Sequence, residues 1–314
     1  MAGLLTVVMS VALLYQRISE ARDAARFPAP GRLFDISGRK LHLKCAGSGT
    51  PTVVLEAGGA SSSSQWGPLQ ERLAEFSHVC SYDRAGFGWS DPSPSQLSFD
   101  DTVRDLKALL TAAEIAGPYV LVGHSKGGLL VRSYARRYPE DVAGVLLLDA
   151  TEEEAFFGGP DIIDSEAASA RRLGRVARFG ILRVLLRFFP KALPFPEIPE
   201  EVRPVFFSEL ARARYWEAAA GEVAAYTSTP PEDRVAGGFG DLGELPLIVM
   251  THGVPFTGGM AALEPGFLEA QARLAGLSSN SELVVAEQSG HAIMWDEPDL
   301  VVAAVRKLIS STAG

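Results

Sequence analysis

Cysteine and basic charge are both scarce in this 314-residue sequence, and each shortage excludes a class of protein. Two cysteines cannot build a disulfide-stapled mini-domain or a cysteine-rich zinc module. With 29 basic against 38 acidic residues, the net charge of −9 argues against a general nucleic-acid-binding protein. The sequence also lacks a glycine-rich phosphate loop, a dinucleotide-binding fingerprint and a cluster with metal-ligand spacing. We therefore expect no cofactor and no metal.

Apolar residues are plentiful, at 47% of the chain, and part of this surplus lies at the N-terminus. No charged residue precedes Arg17, and Leu4 to Tyr15 is almost wholly apolar. A helix over the first 16 residues would be about 24 Å long, which is shorter than the ~30 Å hydrocarbon core of a bilayer. Three interpretations of residues 1–30 stay open: a membrane anchor, a helix docked on the protein or on a second subunit, and a cleaved signal.

Strand-like and helix-like segments alternate along most of the chain, which predicts an α/β fold with a mostly parallel sheet covered on both faces. This alternation stops between Thr151 and about Leu242, where helices and turns predict an insertion. We therefore divide the chain into an apolar N-terminal helix (1–30), a core (31–151 and 242–314) and a helical cap (152–241). The clearest strand-like runs are Arg32 to Gly38, Lys40 to Ala46, Thr52 to Glu56, His78 to Asp83, Tyr119 to Val122, Val142 to Leu148, Leu245 to Met250 and Leu283 to Val285.

The most specific motif is a G-x-S-x-G sequence, Gly123-His124-Ser125-Lys126-Gly127, which follows the strand-like Val120 to Val122 and precedes a helix-like segment. This strand–turn–helix context is typical of a nucleophile elbow, in which a strained turn lifts the serine hydroxyl above the sheet. Gly123 and Gly127 leave room for that backbone.

With this motif and two further stretches, the chain resembles the α/β-hydrolase family from about Gly31 to Ile309. Asp83 to Asp91 (DRAGFGWSD) resembles the family's loop after the fourth strand, and Gly290-His291 followed by Asp296-Glu297-Pro298 resembles its histidine loop. Ala57 stands where the family usually has histidine, a departure shared by a subset of membrane-associated bacterial members. The resemblance implies an eight-stranded sheet, an inserted cap, and serine esterase or lipase activity.

A serine hydroxyl needs a neighbouring base to become a nucleophile, so Ser125 requires an imidazole. We predict that His291 is this base, because it lies where the family places it. Three other histidines lie in or beside predicted strands and fit structural positions: His42, His78 and His124. His252 ends the strand that begins at Leu245, beside a glycine.

The acid of the triad is harder to assign. Phe256 occupies the position where many relatives carry an aspartate, and the next carboxylate along the chain is Glu264. A second family arrangement places the acid after the strand that follows the nucleophile helix, where this chain has Asp149. We predict Asp149, which also fits the chain order serine, acid, histidine. Glu264 and a different acid stay open.

The predicted oxyanion hole consists of the backbone N–H groups of Gly59 and Lys126. Lys126 is unusual, since relatives more often carry an apolar residue or glutamine there. Its ammonium group could favour an anionic substrate, pair with a carboxylate of the cap, or point to solvent.

The cap sequence between Ser165 and Pro190 combines arginines with large apolar residues. Such a segment can lie at a membrane surface, roof an apolar pocket, or pack on the core with its arginines paired to Glu152–Glu154 or solvated. The location stays open between a membrane-associated and a cytoplasmic one in a bacterium. A homo-oligomer also stays open.

Cys45 and Cys80 fall on strands that the family's sheet order makes neighbours, and we expect two free, buried cysteines.

The predicted reaction is hydrolysis of a small-molecule carboxylic ester, with an apolar acyl or aryl group, through a covalent acyl-enzyme. The same residues could hydrolyse a lactone, an amide or a C–C bond, or transfer an acyl group. A rival from another class is a non-catalytic binding protein of the same fold, which the missing aspartate near Phe256 would favour.

Overall fold

The computed structural model of the chain describes residues 2–153, 160–190, 198–227, 241–257, 261 and 264–311. One sheet holds eight strands in this part of the chain, and helices cover both of its faces. The predicted α/β fold with a mostly parallel eight-stranded sheet is therefore confirmed. The strands are β1 (Arg32–Asp35), β2 (Lys40–Ala46), β3 (Thr52–Glu56), β4 (Val79–Tyr82), β5 (Tyr119–His124), β6 (Val142–Leu148), β7 (Leu247–His252) and β8 (Ser281–Ala286).

The strand order is β1-β2-β4-β3-β5-β6-β7-β8. β2 pairs antiparallel with both β1 and β4, whereas the strands from β4 to β8 pair in parallel. The carboxyl ends of parallel strands meet at one edge of the sheet. The loops that follow β3, β5, β6 and β7 therefore converge there.

Alternate strand residues point to opposite faces, so each strand contributes to two buried clusters. Val54 and Leu121 pack with helices α3 (Phe99–Ala112) and α4 (Gly127–Arg137), while Val53 and Val122 pack on the other face. The remaining core helices are α2 (Gly67–Ala74), α9 (Glu264–Ala275), α10 (Ile293–Asp296) and α11 (Pro298–Ser311).

The inserted segment supplies four helices in the described residues: α5 (Pro160–Arg178), α6 (Ile181–Phe188), α7 (Arg203–Leu210) and α8 (Ala213–Thr227). We call them the cap helices. They form a third apolar cluster, in which Leu182, Phe206 and Trp216 are buried together with Phe87 of the loop after β4. The Ser62 hydroxyl, in the loop after β3, donates to Glu209 of α7 at 2.8 Å, and the Tyr215 hydroxyl of α8 donates to the carbonyl oxygen of Ala60. The cap helices are thus bonded to the loop that follows β3.

The N-terminal helix α1 (Ala2–Arg26) is longer than the apolar run that the sequence displays. Its 25 residues correspond to about 37 Å. The Gln16 amide donates to the carbonyl oxygen of Ala211 at 2.6 Å, and Asp23 pairs with Arg183 of α6 at 2.5 Å. The second half of α1 is therefore docked on the cap. Gly3–Arg26 has the length and the composition to cross a membrane.

Cys45 and Cys80 form a disulfide, so the expectation of two free cysteines is wrong. The antiparallel register of β2 and β4 sets these residues directly opposite each other. The family's sheet order predicted that the strands of Cys45 and Cys80 are neighbours. The sequence alone does not specify which residues of β2 and β4 lie opposite each other.

Candidate active site

Ser125 lies on a sharp turn between β5 and α4. Its φ of 51° is in the left-handed region, which is strained for a residue with a side chain. The turn is tied to the next strand, because the Ser125 N–H donates to the carbonyl oxygen of Leu148 at 3.0 Å. A Cβ on Gly123 would lie 2.7 Å from the Val131 side chain, and one on Gly127 would lie 2.6 Å from the carbonyl oxygen of Ala57. Both positions therefore require glycine.

Asp149 and His291 are brought together at the same edge of the sheet. Asp149 follows β6 with a φ of 45°, and its Oδ2 lies 2.6 Å from Nδ1 of His291. The aspartate is fully buried. Burial alone would raise its pKa, but the hydrogen bonds from His252 and His291 outweigh this effect and hold the pKa of Asp149 below its ordinary value. The carboxylate is thus ionised at neutral pH.

Asp149 also binds a second histidine, His252, to which the sequence assigned no role. Nδ1 of His252 lies 2.8 Å from Oδ1 of Asp149, and the His252 backbone N–H donates to the same oxygen at 3.0 Å. On its other side, Nε2 of His252 lies 3.2 Å from Oε2 of Glu264. Burial lowers the pKa of His252, but its hydrogen bonds to Asp149 and Glu264 raise it above the ordinary value. Glu264, the alternative acid, therefore contacts His252.

Phe256, at the position where relatives often have an aspartate, forms an apolar wall beside the imidazole. Its ring centroid lies 5.7 Å from that of His291. The backbone N–H of Phe256 donates to Oε2 of Glu264 at 2.8 Å, which fixes this loop. Position 256 therefore supplies no carboxylate to His291. Asp149 supplies one instead, from the end of the neighbouring strand.

His124 precedes the serine and holds the histidine loop. Its Nε2 donates to the carbonyl oxygen of His291 at 2.9 Å. Burial and the neighbouring His291 lower the pKa of His124 to about 3, so its ring is neutral at neutral pH. This hydrogen bond joins the loop that carries His291 to the elbow.

The loop after β3 packs directly against the elbow. A Cβ on Gly58 would lie 2.9 Å from Nδ1 of His124, and one on Gly59 would overlap the Lys126 side chain. The buried guanidinium of Arg84 donates to the carbonyl oxygens of Ala57 at 2.8 Å and Gly58 at 2.7 Å. The carbonyl groups of Ala57 and Gly58 thus point toward Arg84. Because Gly58 and Gly59 have no side chain, the backbone of this loop can approach the elbow closely.

The sequence was also compared with those of known protein families. Residues 53–304 match the alpha/beta hydrolase family. The chain belongs to the alpha/beta hydrolase family. Uncharacterized protein YqjL of Bacillus subtilis is 28% identical over 275 residues, which is 87% of this chain and 90% of YqjL.

Two solved structures share the fold of this alpha/beta hydrolase. A thermophilic esterase from Thermogutta terrifontis is similar, with a TM-score of 0.65 and 21% identity over 90% of this chain and 98% of the esterase. A bacterial membrane phospholipase A has a TM-score of 0.63 and 20% identity, over 100% of this chain and 95% of its own.

Lys126 of the alpha/beta hydrolase is paired with the cap. Its ammonium nitrogen lies 2.5 Å from Oε2 of Glu166 on α5 and 5.9 Å from the ring centroid of Tyr226 on α8. Of the three arrangements considered for this side chain, the structure shows the pairing with a cap carboxylate. Glu222 of α8 adds a second link, since its carboxylate pairs with Arg84 at 2.9 Å and accepts from the Ala60 N–H at 2.8 Å.

In the described part of the chain, three side chains that could bind a metal meet away from this site, although Cys45 is far from the other two in sequence: the ligand atoms of Cys45, His78 and Cys80 lie within 4.8 Å of one another. Because the two sulfurs are joined in the disulfide, neither is a thiolate that could bind a metal ion. His78 alone keeps a ligand atom in this group.

Proposed function

We propose that this alpha/beta hydrolase cleaves carboxylic esters through a covalent acyl-enzyme, with Ser125 as nucleophile, His291 as base and Asp149 as acid. The observation that carries the proposal is the 2.6 Å contact between the ionised Asp149 carboxylate and Nδ1 of His291. This contact fixes the imidazole tautomer in which Nδ1 holds a proton and Nε2 is free to accept one. A strained elbow serine on the adjacent strand supplies the group that would give up that proton.

In the proposed reaction, Nε2 of His291 takes the proton of the Ser125 hydroxyl as its oxygen attacks the ester carbonyl. The negative charge that develops on the carbonyl oxygen is stabilised by the backbone N–H groups of Gly59 and Lys126. Collapse breaks the bond to the alcohol, which leaves with the proton from His291. Water then attacks the acyl-enzyme by the same route and releases the acid. Throughout, Asp149 stabilises the imidazolium form.

The similar solved structures support ester cleavage, because one is described as an esterase and the other as a membrane phospholipase A. The sheet order also supports the proposal, because β5, β6 and β7 are adjacent and Ser125, Asp149 and His252 lie at their carboxyl ends. No metal or cofactor enters the proposed steps.

We further propose that an apolar acyl group occupies the cavity of about 340 Å³ between the loop after β4 and α8. Apolar side chains from the core and the cap line part of it, including those of Phe87, Phe99, Leu130 and Tyr226. Charged side chains line the rest: Arg84, Arg214, Glu217 and Glu222. The ring centroid of Tyr226 lies 5.9 Å from the ammonium nitrogen of Lys126, the residue after Ser125, which supports a route from this cavity to the elbow.

A series of p-nitrophenyl esters from acetyl to dodecanoyl tests this assignment. We expect kcat/KM to rise by about fourfold for each methylene that the cavity buries, and to level off when it is full. Ala218→Trp places a bulky ring in the cavity wall and is expected to shift the optimum to shorter chains. Steady-state kinetics over the series measures both effects.

The matched control for this series is Ala272→Trp, the same substitution at an exposed position of α9, which should leave the chain-length optimum unchanged. Equal activity on every chain length would contradict an apolar acyl pocket. An optimum that does not move in Ala218→Trp would place the acyl group elsewhere.

A further inference from the structure

The first half of α1 carries exposed apolar side chains all around its axis. Leu4, for example, is 73% exposed. Successive residues of a helix point about 100° apart, so exposed neighbours such as Leu4 and Leu5 lie on different sides of the axis. A helix that docks on one protein surface has a single apolar stripe, whereas an apolar circumference is typical of a helix in lipid. The exposed apolar residues are Leu4, Leu5, Val7, Val8, Met9, Val11, Leu13, Leu14 and Tyr15.

Helix α6 of the cap has two apolar faces. Its inner face buries Leu182 and Leu186 in the cap cluster. Its outer face exposes apolar residues at the helical spacing i, i+3, i+4 and i+7, and it ends in Phe188 and Phe189, which are 69% and 62% exposed. The other outer residues are Ile181, Val184 and Leu185.

These two apolar regions adjoin each other. A Cβ on Gly180, the residue before α6, would lie 2.8 Å from the Tyr15 ring. Arg183 of α6 contacts both Gln16 at 3.2 Å and Asp23 at 2.5 Å on α1. The start of α6 therefore contacts α1 where the exposed apolar half of α1 ends, and we call the exposed apolar residues of α1 and α6 together the apolar face.

The cap segment that includes α6 carries a charge opposite to that of the whole chain. The chain has a net charge of −9, but residues 165–190 contain six arginines and one acidic residue, Glu166. Arginines beside exposed aromatic and aliphatic side chains are suited to a bilayer with anionic headgroups, since the apolar groups enter the acyl region and the guanidinium groups stay among the phosphates. The exposed arginines are Arg171, Arg172, Arg175, Arg178 and Arg187.

We propose that the apolar face docks on a lipid bilayer that contains anionic phospholipid, with α1 inserted and the outer side of α6 lying in the interface. The uncharged part of α1 that precedes Gln16, residues 2–15, is about 21 Å long and can enter most of a hydrocarbon core of about 30 Å. The bonds of α1 to Arg183 and to Ala211 then hold the cap against the membrane. This proposal concerns binding and does not depend on the reaction.

Probe fluorescence on the full chain tests the docking of the cap separately from the insertion of α1. Phe188→Cys is labelled with the environment-sensitive probe NBD; Cys45 and Cys80 are bonded to each other and do not react. With vesicles of phosphatidylcholine and phosphatidylglycerol, we expect a blue shift of the emission and loss of emission when the lipids carry nitroxides. The effect should be weaker with phosphatidylcholine alone.

The matched control is Leu268→Cys, labelled in the same way, at a 53%-exposed apolar position of α9 on the core. Its emission should not respond to vesicles. If the chain floats with vesicles while the probe at position 188 stays unchanged, α1 inserts but the cap does not dock, and the proposal is wrong. A shift that needs no vesicles and grows with protein concentration would identify a second copy as the occupant and would also overturn it.

Discussion

Replacing Ser125 with alanine is expected to lower the turnover of short p-nitrophenyl esters by about 10⁴-fold or more. The proposed reaction has no acyl-enzyme without the Ser125 oxygen, and the hydrogen-bonded pair of Asp149 and His291 then has no nucleophile to activate. Alanine keeps the Cβ of the elbow, so the left-handed backbone at position 125 is no more crowded than in the wild type. Initial rates of the two proteins, measured on acetyl and butyryl esters, give the ratio.

The Ser125→Ala variant should be folded, which thermal unfolding followed by circular dichroism verifies. A folded variant that keeps more than about a tenth of the wild-type turnover would show that Ser125 is not the nucleophile, since each activated nucleophile contributes orders of magnitude. The non-catalytic interpretation predicts a different outcome, in which the wild type and the variant are equally inactive.

Asp149→Asn is expected to lower kcat by about 10⁴-fold with little change in size at the site. Two oxygens of Asp149 accept hydrogen bonds, from Nδ1 and the backbone N–H of His252 and from Nδ1 of His291. An amide has one acceptor oxygen, and its NH₂ group would face a donor. The variant also loses the negative charge that stabilises the imidazolium form of His291. Steady-state kinetics on the preferred ester measures the loss.

Glu264→Gln is the matched control, because it makes the same carboxylate-to-amide change two links further along the hydrogen-bond chain, beyond His252. Glu264 contacts His252 at 3.2 Å, so its effect on His291 passes through His252 and Asp149. We expect a loss of about tenfold or less. A larger loss in Glu264→Gln than in Asp149→Asn would assign the acid to Glu264.

The sheet and the elbow were predictable because their signals are local. A β-branched strand, a G-x-S-x-G turn and a helix follow one another in the chain, and the structure has β5, Ser125 and α4 in that order. Asp149 was predictable from its position after β6, since the ends of parallel strands converge. The structure places its carboxylate 2.6 Å from His291.

The contacts that the sequence did not predict depend on the register of neighbouring strands and on how the cap helices pack on the core. His252 reaches Asp149 because the parallel register sets Leu148 opposite Met250, two residues before His252. Cys45 and Cys80 bond because the antiparallel register sets them opposite. Pairing of Lys126 with a cap carboxylate was one of three options, but the choice of Glu166 requires α5 to lie over the elbow, a position that the cap sequence does not specify.

The most direct test of the catalytic assignment is labelling with a fluorophosphonate, which phosphonylates an activated serine, followed by mass mapping of the peptides. We predict one adduct per wild-type chain, on the peptide that contains Ser125, and none on Ser125→Ala. A folded wild type that stays unlabelled, or an adduct on a different serine, would contradict the assignment of Ser125 as the nucleophile.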